Sequence, residues 1–476
     1  MDRSNLSEGI IQELGSIFMN CLRKAGPSLA GSADLEALER QAQVIGRDVL
    51  GRVVEASIRS IAATTSVDRP NCPRCGKATR LVDSQRDRNL QGLVGDYGFS
   101  RAYYFCDDCN LGLAPLDDRL GLGPGTLSPA LGRVVCWAGI QGSFEEGAAA
   151  INEALGVMVP TESTRRVTES VGAVAEQEQQ AMIARAQAGD TPCPKVNERE
   201  TPGVLLVEVD ALKVHLEEGW RDAKVTAVVP LGAETVVDED TGRERFVMGR
   251  QRYAAGFEKA ELFWYRVFVE ACRHGLGNLA LTMVVVLGDG ADWIWRYASP
   301  FLALSGIKLV EIVDIYHAWE HLWKVGNKLH GQGSPNASAW VEPLKAKLLE
   351  KGTGPVIEAL VALGQQDGDI GEEIRKAIDY FTVHSERMRY PEFIALKLPI
   401  GSGVVESACK TVVGQREHGP GMRWSEDGAQ RVATLRAIYR SGQWDTFWAT
   451  RPMMRRDPRI VARSQARADT ATKKAA

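Results

Sequence analysis

The chain has 476 residues, too many for one ordinary domain, and its 44% hydrophobic and 25% charged residues are an ordinary globular balance. No apolar run approaches the roughly eighteen residues of a membrane span, and the start, MDRSNLSEGI, lacks a signal peptide's apolar core. The formal net charge of −4 argues mildly against a nucleic-acid partner, which clustered Lys and Arg would favour.

In chain order, residues 1–66 carry helical apolar periodicity, clearest through LEALERQAQVIGRDVLGRVVEASIRSIA. RPNCPRCG breaks that pattern, and a strand-like stretch from about Arg80 to Phe105 closes with CDDCNLG. Cys72-x-x-Cys75 and Cys106-x-x-Cys109 thus each place two thiolates on a tight turn, with hairpin character between them. This doubled spacing predicts a structural Zn²⁺ held by all four, a zinc ribbon over 67–125, with no coordination position open for chemistry. The other five cysteines (Cys21, Cys136, Cys193, Cys272, Cys409) stand singly. Reduced, dispersed thiols without a secretion signal point to a cytoplasmic protein, nucleoid-associated in a bacterium.

Residues 126–190 are predicted to be helical. SFEEGAAAINEAL, GVMVP and TESTRRVTESVGAVAEQ have the layout of helix, glycine turn and second helix, with Thr161 as a cap of the second. A helix-turn-helix of this kind would offer Ser163, Arg165 and Arg166 to DNA, although two such helices are also common in structural bundles. GDTPCPKVNERETPG then reads as a polar linker.

Beyond it the texture becomes α/β over 200–450. GVLLVEVDA is a buried-type strand ending in Asp210, with KVHLEEG and AKVTAVVPL as its expected antiparallel partners. LTMVVVLGDGAD delivers Asp289 at the end of a second such strand, with Asp292 as its competitor, and KLVEIVDIYHA is a third. Residues 316–395 are almost wholly helical, and PIGSG opens a helix carrying Glu406. The glycines of that turn suggest close backbone approach. Three acids brought together could hold two Mg²⁺ (or Mn²⁺) ions for phosphodiester chemistry, whereas a single Asp after a strand is usually a turn or cap residue.

DGADWIW, DIYHAWEHLW and PIGSGVVESACKTVVGQREHGPGMRWSEDGAQ resemble bacterial insertion-sequence transposases of the ISKra type. The likeness extends back through VEVDALKVHL into YYFCDDCNLGLAPLD, covering most of residues 70–450. It implies a DD(E) transposase with an RNase H-like mixed sheet, with Asp210, Asp289 and Glu406 as the catalytic set and 316–395 as a helical insertion. It implies DNA as partner, through the element's terminal inverted repeats and a target, and a homodimer or larger assembly. Asp314 and His317 form D-x-x-H, which resembles a signature of related transposases and would put both beside the carboxylates. Lys410, Arg416, Arg423 and Trp424 would line a DNA groove, Trp424 stacking on an unpaired base unless it belongs to the core.

A rival reading takes His317 to His321, H-A-W-E-H, as the inverted zinc-protease motif, which supplies two ligands and needs a third from elsewhere. An inactive DNA-binding relative is a third possibility. Residues 451–476 form a basic tail, with Arg451, Arg455, Arg456, Arg459, Arg463, Arg467, Lys473 and Lys474 against Asp457 and Asp469.

Overall fold

The computed structural model describes residues 8–31, 34–65, 69–190, 203–237, 242–277, 280–304, 306–450 and 452–454. The linker 191–202 with Cys193, and the basic tail apart from 452–454, lie outside the described residues. The chain divides into two compact units, one of residues 1–174 with 445–476 and one of residues 175–444. None of the described helices is long and apolar enough to cross a membrane.

The first unit opens with helices α1 (Glu8–Ala30) and α2 (Leu35–Ala63), the second capped by Asp34, whose carboxylate accepts from Ala37 N. A three-stranded antiparallel sheet follows: β1 (Arg80–Gln91), β2 (Asp96–Cys106) and β3 (Leu111–Leu113). Ile58 from α2, Leu90, Phe99, Leu116 of α3 (Pro115–Leu120) and Leu122 form its small core. Helices α4 (Pro129–Gln141), α5 (Phe144–Leu155) and α6 (Thr161–Gln187) come next. Ser143 and Glu146 make a reciprocal capping box at the start of α5, and Gly156 ends it at φ 61°. The helix–turn–helix order is therefore as expected, but Thr161 is itself the first helical residue of α6 rather than a residue preceding it.

The second unit is a mixed six-stranded sheet with helices. β4 (Val204–Leu216), β5 (Gly219–Val237), β6 (Glu244–Met248), β7 (Arg252–Gly256), β8 (Met283–Gly288) and β9 (Lys308–Val313) run in the order β6-β5-β4-β8-β9, with β7 also on β5. β4, β8 and β9 are parallel to one another, and the other pairings are antiparallel. Parallel strands covered by helices need apolar side chains on both faces, which is why VLLV, MVVVL and LVEIV are nearly continuous hydrophobic runs. One expectation is corrected. KVHL is no separate strand; β4 continues through it to Leu216 before turning into β5. Its alternation of exposed Lys213 with buried Val214 fits a two-stranded extension beyond the covered sheet.

Helices α7 (Ala260–Arg273) and α8 (Asp292–Leu302) connect the strands, and Trp264, Val267, Ile294 and Ala298 join the strand residues in one core. After β9 come α9 (Ile315–His330), α10 (Pro335–Lys351), α11 (Gly354–Val361), α12 (Gly368–Val383) and α13 (Tyr390–Ala395), matching the expected helical stretch. The chain then returns to the sheet as α14 (Gly403–Ala408), a π-helical segment (Cys409–Gly414), α15 (Gln415–Glu417) and α16 (Glu426–Arg440).

Candidate active site and metal centre

The four cysteines of the first unit converge. Their sulfur atoms all lie within 4.8 Å of one another, and Cys75 Sγ is 3.6 Å from Cys106 Sγ. Four thiolates around zinc at about 2.3 Å are separated by about 3.8 Å, so this spacing is that of a tetrahedral cradle. The Cys72 turn is preformed, with Cys72 N donating to Lys77 O and Gly76 N to Cys72 O, both at 2.8 Å. The quartet can hold a metal ion such as zinc.

In the second unit, strand register assembles the acids. Val209 pairs with Gly288, and Gly288 with Val313. The next residue on each strand is Asp210, Asp289 and Asp314. Neighbouring strands are about 5 Å apart, and residues at the same level share a face. Asp210 and Asp289 are half-buried, whereas Asp292 is exposed at the start of α8. The register therefore favours Asp289 over its competitor. Close strand approach at this level requires Gly288, because a Cβ there would lie 2.9 Å from Val209 O.

Glu406 arrives on a helix laid along β4. Glu208, Asp210 and Leu212 alternate onto one strand face. Glu208 Oε2 accepts from Val405 N at 2.7 Å, Cys409 Sγ lies 3.5 Å from Asp210 Oδ2, and Leu212 reaches Gly414. Three alternate strand residues thus fix the α14–π segment. The turn before it is pinned by Ile315 N donating to Ile400 O at 2.9 Å, and a Cβ on Gly401 would meet Tyr316 at 2.8 Å. That is the close approach the PIGSG turn implied. Ser402 Oγ donates to Asp314 Oδ2 at 2.9 Å and lies 3.4 Å from Glu406 Oε1, so Glu406 and the sheet-end acids share one neighbourhood. Among the described residues only the cysteine quartet has all its donor atoms within 4.8 Å; the oxygens of Asp210, Asp289 and Glu406 are more widely spread.

The electrostatics are those of crowded acids. Burial and the Asp289 charge raise the Asp210 carboxyl, opposed by hydrogen bonds from Ala211 N and Cys409. Glu208 is fully buried, and burial pushes its carboxyl up to about 8 despite the Val405 amide. His317 moves up to about 9, chiefly through its hydrogen bond with Asp314 and against the pull of burial. Asp314 has no exposed surface and caps α9 through Tyr316 N. Beside these groups opens a cleft of about 680 Å³ lined by Arg243, Arg245, Tyr316, His317, Glu320 and Glu406, among others.

The chain matches no family model and no curated protein.

Several expected site residues are placed otherwise. Arg416 is 1% exposed, with its guanidinium 4.6 Å from the ring centroid of Trp424, itself 7% exposed. The two stack on each other inside the fold, so burial keeps both from lining an open groove and favours the core alternative for Trp424. Lys410 and Arg423 are exposed. Arg165 is exposed but held between Glu162 and Glu169, at 2.7 and 3.0 Å, and Arg166 leans on half-buried Ser163. His321 stacks on Tyr380 with ring centroids 3.8 Å apart, and burial lowers it to about 4. No third ligand joins His317 and His321 among the described residues, which leaves the zinc-protease motif without its site. Glu208, Ser402 and Cys409 were not anticipated. The available signal was an acid inside an otherwise apolar strand, two residues before Asp210 and on its face.

Proposed function

We propose that the chain is a DD(E) transposase of the ISKra type, with an RNase H-like catalytic domain and a zinc ribbon, which cuts and rejoins DNA at the ends of an insertion sequence. Asp210, Asp289 and Glu406 are the catalytic carboxylates. The observation that carries this reading is the shared register of Asp210 and Asp289 on parallel strands, with the helix of Glu406 bound along the same face by Glu208 and Cys409. Half-buried acids from distant stretches gathered at one end of the sheet support this reading, since bringing like charges together out of water is costly unless a cation is to be held.

Asp210, Asp289 and Glu406 would hold two Mg²⁺ or Mn²⁺ ions, which, when bound, activate the attacking water or 3′-hydroxyl and stabilise the leaving oxygen. Glu406, which lies 3.4 Å from Ser402 Oγ, would have to turn toward the two aspartates to complete that set. Asp314 keeps Ser402 and His317 in place from its buried position. Arg243 and Arg245 border the cleft where the DNA backbone enters, and Lys410 and Arg423 extend the basic surface. The first unit, with its cysteine module and Arg166, recognises the terminal repeats, and two ends are joined by a homodimer or larger assembly in the bacterial cytoplasm.

The test is Mg²⁺-dependent cleavage and strand transfer on the DNA that flanks the gene. Asp210→Asn, Asp289→Asn and Glu406→Gln should each lower the rate at least about 10³-fold, the effect of several kcal/mol of lost charge stabilisation. Asp292→Asn should leave it within about threefold. A folded protein that binds these ends without cutting them would identify the inactive DNA-binding relative instead.

A further inference from the structure

One ring from the helices between β9 and α14 reaches the end of the sheet. Asp289 leaves β8 into the turn Gly290–Ala291, and its Oδ1 accepts from Ala291 N at 2.9 Å, so the carboxylate is tied to the turn's own backbone. Tyr380, in the last turn of α12, lies on Gly290. A Cβ built on that glycine would overlap Cε2 of Tyr380 and stand 3.1 Å from its Cζ and 3.2 Å from its hydroxyl oxygen, and these are the nearest atoms it would meet. Gly290 is outside the left-handed region, so backbone conformation does not call for glycine there. What excludes a side chain is the ring.

Tyr380 is itself held. His321 of α9 stacks on it at 3.8 Å, and buried His384, which follows α12, meets it edge-on at 5.0 Å. His321 stands one turn after His317 on the same helix face, so α9 braces the ring while carrying His317 into the cleft. The phenol hydroxyl is buried with no hydrogen-bond partner among the described residues. Burial, then the charges of Asp289 and Asp314, push that phenol up, as expected of a ring beside the acids. A tyrosine whose hydroxyl is unused, and whose ring closes over the glycine next to an acid, acts through its shape.

We propose that Tyr380 is a positioning residue for the cation site: its ring, braced by His321 and His384, holds the Asp289–Gly290–Ala291 turn so that the Asp289 carboxylate meets the ion that Asp210 shares. The role rests on the divalent-cation reading above and deepens it. Metal ligands are oriented by the groups behind them, and loss of such a group costs about 10- to 100-fold in metal affinity. Gly290 and Tyr380 are also complementary in size. Leucine ends short of Cε2, Cζ and the hydroxyl, so Tyr380→Leu removes the support and the obstruction together.

The test is Mn²⁺ binding to the zinc-loaded full chain, read from the electron paramagnetic resonance signal of free Mn²⁺, with urea unfolding before Mn²⁺ is added. Tyr380→Leu and Gly290→Ala should each weaken Mn²⁺ about tenfold. In the Tyr380→Leu chain, Gly290→Ala should add less than about twofold, because the atoms it would strike are gone. Tyr380→Phe keeps the ring and should bind within about twofold of the parent. Gly290→Ala and Tyr380→Phe both keep the ring, and decide the matter if the leucine chain does not fold. A purely structural ring would lower stability and leave the Mn²⁺ affinity of the folded chain unchanged, which would overturn the positioning role alone. So would a Gly290→Ala effect of equal size in both backgrounds, or a Tyr380→Phe loss matching that of Tyr380→Leu. A parent that takes up no Mn²⁺, or takes it up no better than Asp289→Asn, would remove the cation reading and the positioning role with it.

Discussion

Replacing Gly288 by alanine tests the register on which the site depends. The new Cβ would lie 2.8 Å from Ile294 Cδ1 and 2.9 Å from Val209 O, while ordinary contact begins near 3.4 Å. Ile294 is fully buried and Val209 O belongs to the neighbouring strand, so β4 and β8 must part by about 0.5 Å, the shortfall from 2.9 to 3.4 Å. Overpacking of this kind costs about 1–3 kcal/mol. The parting falls between Asp210 and Asp289. A 1 Å misplacement of catalytic groups costs on the order of 10²-fold, so half of that should slow DNA cleavage about tenfold. Gly354→Ala is the matched control, because its Cβ meets nothing within 4 Å at the exposed start of α11. It should be neutral or stabilising by about 0.4–1 kcal/mol, with an unchanged rate. Urea unfolding of the zinc-loaded protein and Mg²⁺-dependent cleavage measure the two effects. Equal stability of the two alanine variants would refute the packing argument.

Three further outcomes follow from particular groups. Arg266 is 1% exposed and ion-paired with Glu176 and Glu258, the carboxylate of Glu176 also accepting from Thr434 at 2.8 Å. Arg266→Met should cost about 3–5 kcal/mol in urea unfolding, and adding Glu176→Gln should recover a large part; a single-variant loss under about 1 kcal/mol would contradict a buried charge network. Glu208 has a folded-state value of about 8 against 4.5 for the free side chain, so the folded chain keeps a proton that the unfolded chain releases. Without Mg²⁺, this group's contribution is fully present below about pH 4.5 and declines by ~1.4 kcal/mol per unit up to about pH 8. The stability difference between Glu208→Gln and the parent should therefore grow with pH across that window, and a flat difference would refute it. Co²⁺ exchanged into the cysteine quartet should give the absorption bands of a four-thiolate tetrahedral site, and Cys75→Ala should abolish them; bands that survive would exclude Cys75 as a ligand.

Much of the second unit could be read from pattern. MVVVLG is apolar without alternation because helices cover both faces, and it forms the buried parallel strand expected of it, whereas KLVEIV, the last strand of the sheet, is parallel as expected but only partly buried, with Lys308 exposed. The spacing of the two C-x-x-C pairs announced a ligand shell whose geometry the structure bears out. What the sequence concealed depends on contacts between distant residues. Locally, Asp289 differs from Asp292 only in directly ending the apolar run, and it is the rungs from Val209 to Gly288 and from Gly288 to Val313 that set it level with Asp210 and Asp314. Glu208 looked like one polar residue in a strand, and its meaning lies in the Val405 amide almost two hundred positions away. Arg416 and Trp424 are donor and aromatic types that suit DNA equally well, and tertiary packing turned them toward each other.

In the proposed function, Asp210, Asp289 and Glu406 form one divalent-cation site. Its most direct test is a crystal soaked in Mn²⁺ and recorded at an energy where manganese scatters anomalously. Anomalous density should bridge Asp210 and Asp289, with Glu406 rotated off Ser402 to coordinate it, and should be lost in Asp289→Asn. Density bound elsewhere, or carboxylates that take up no manganese while Glu406 stays on Ser402, would contradict it.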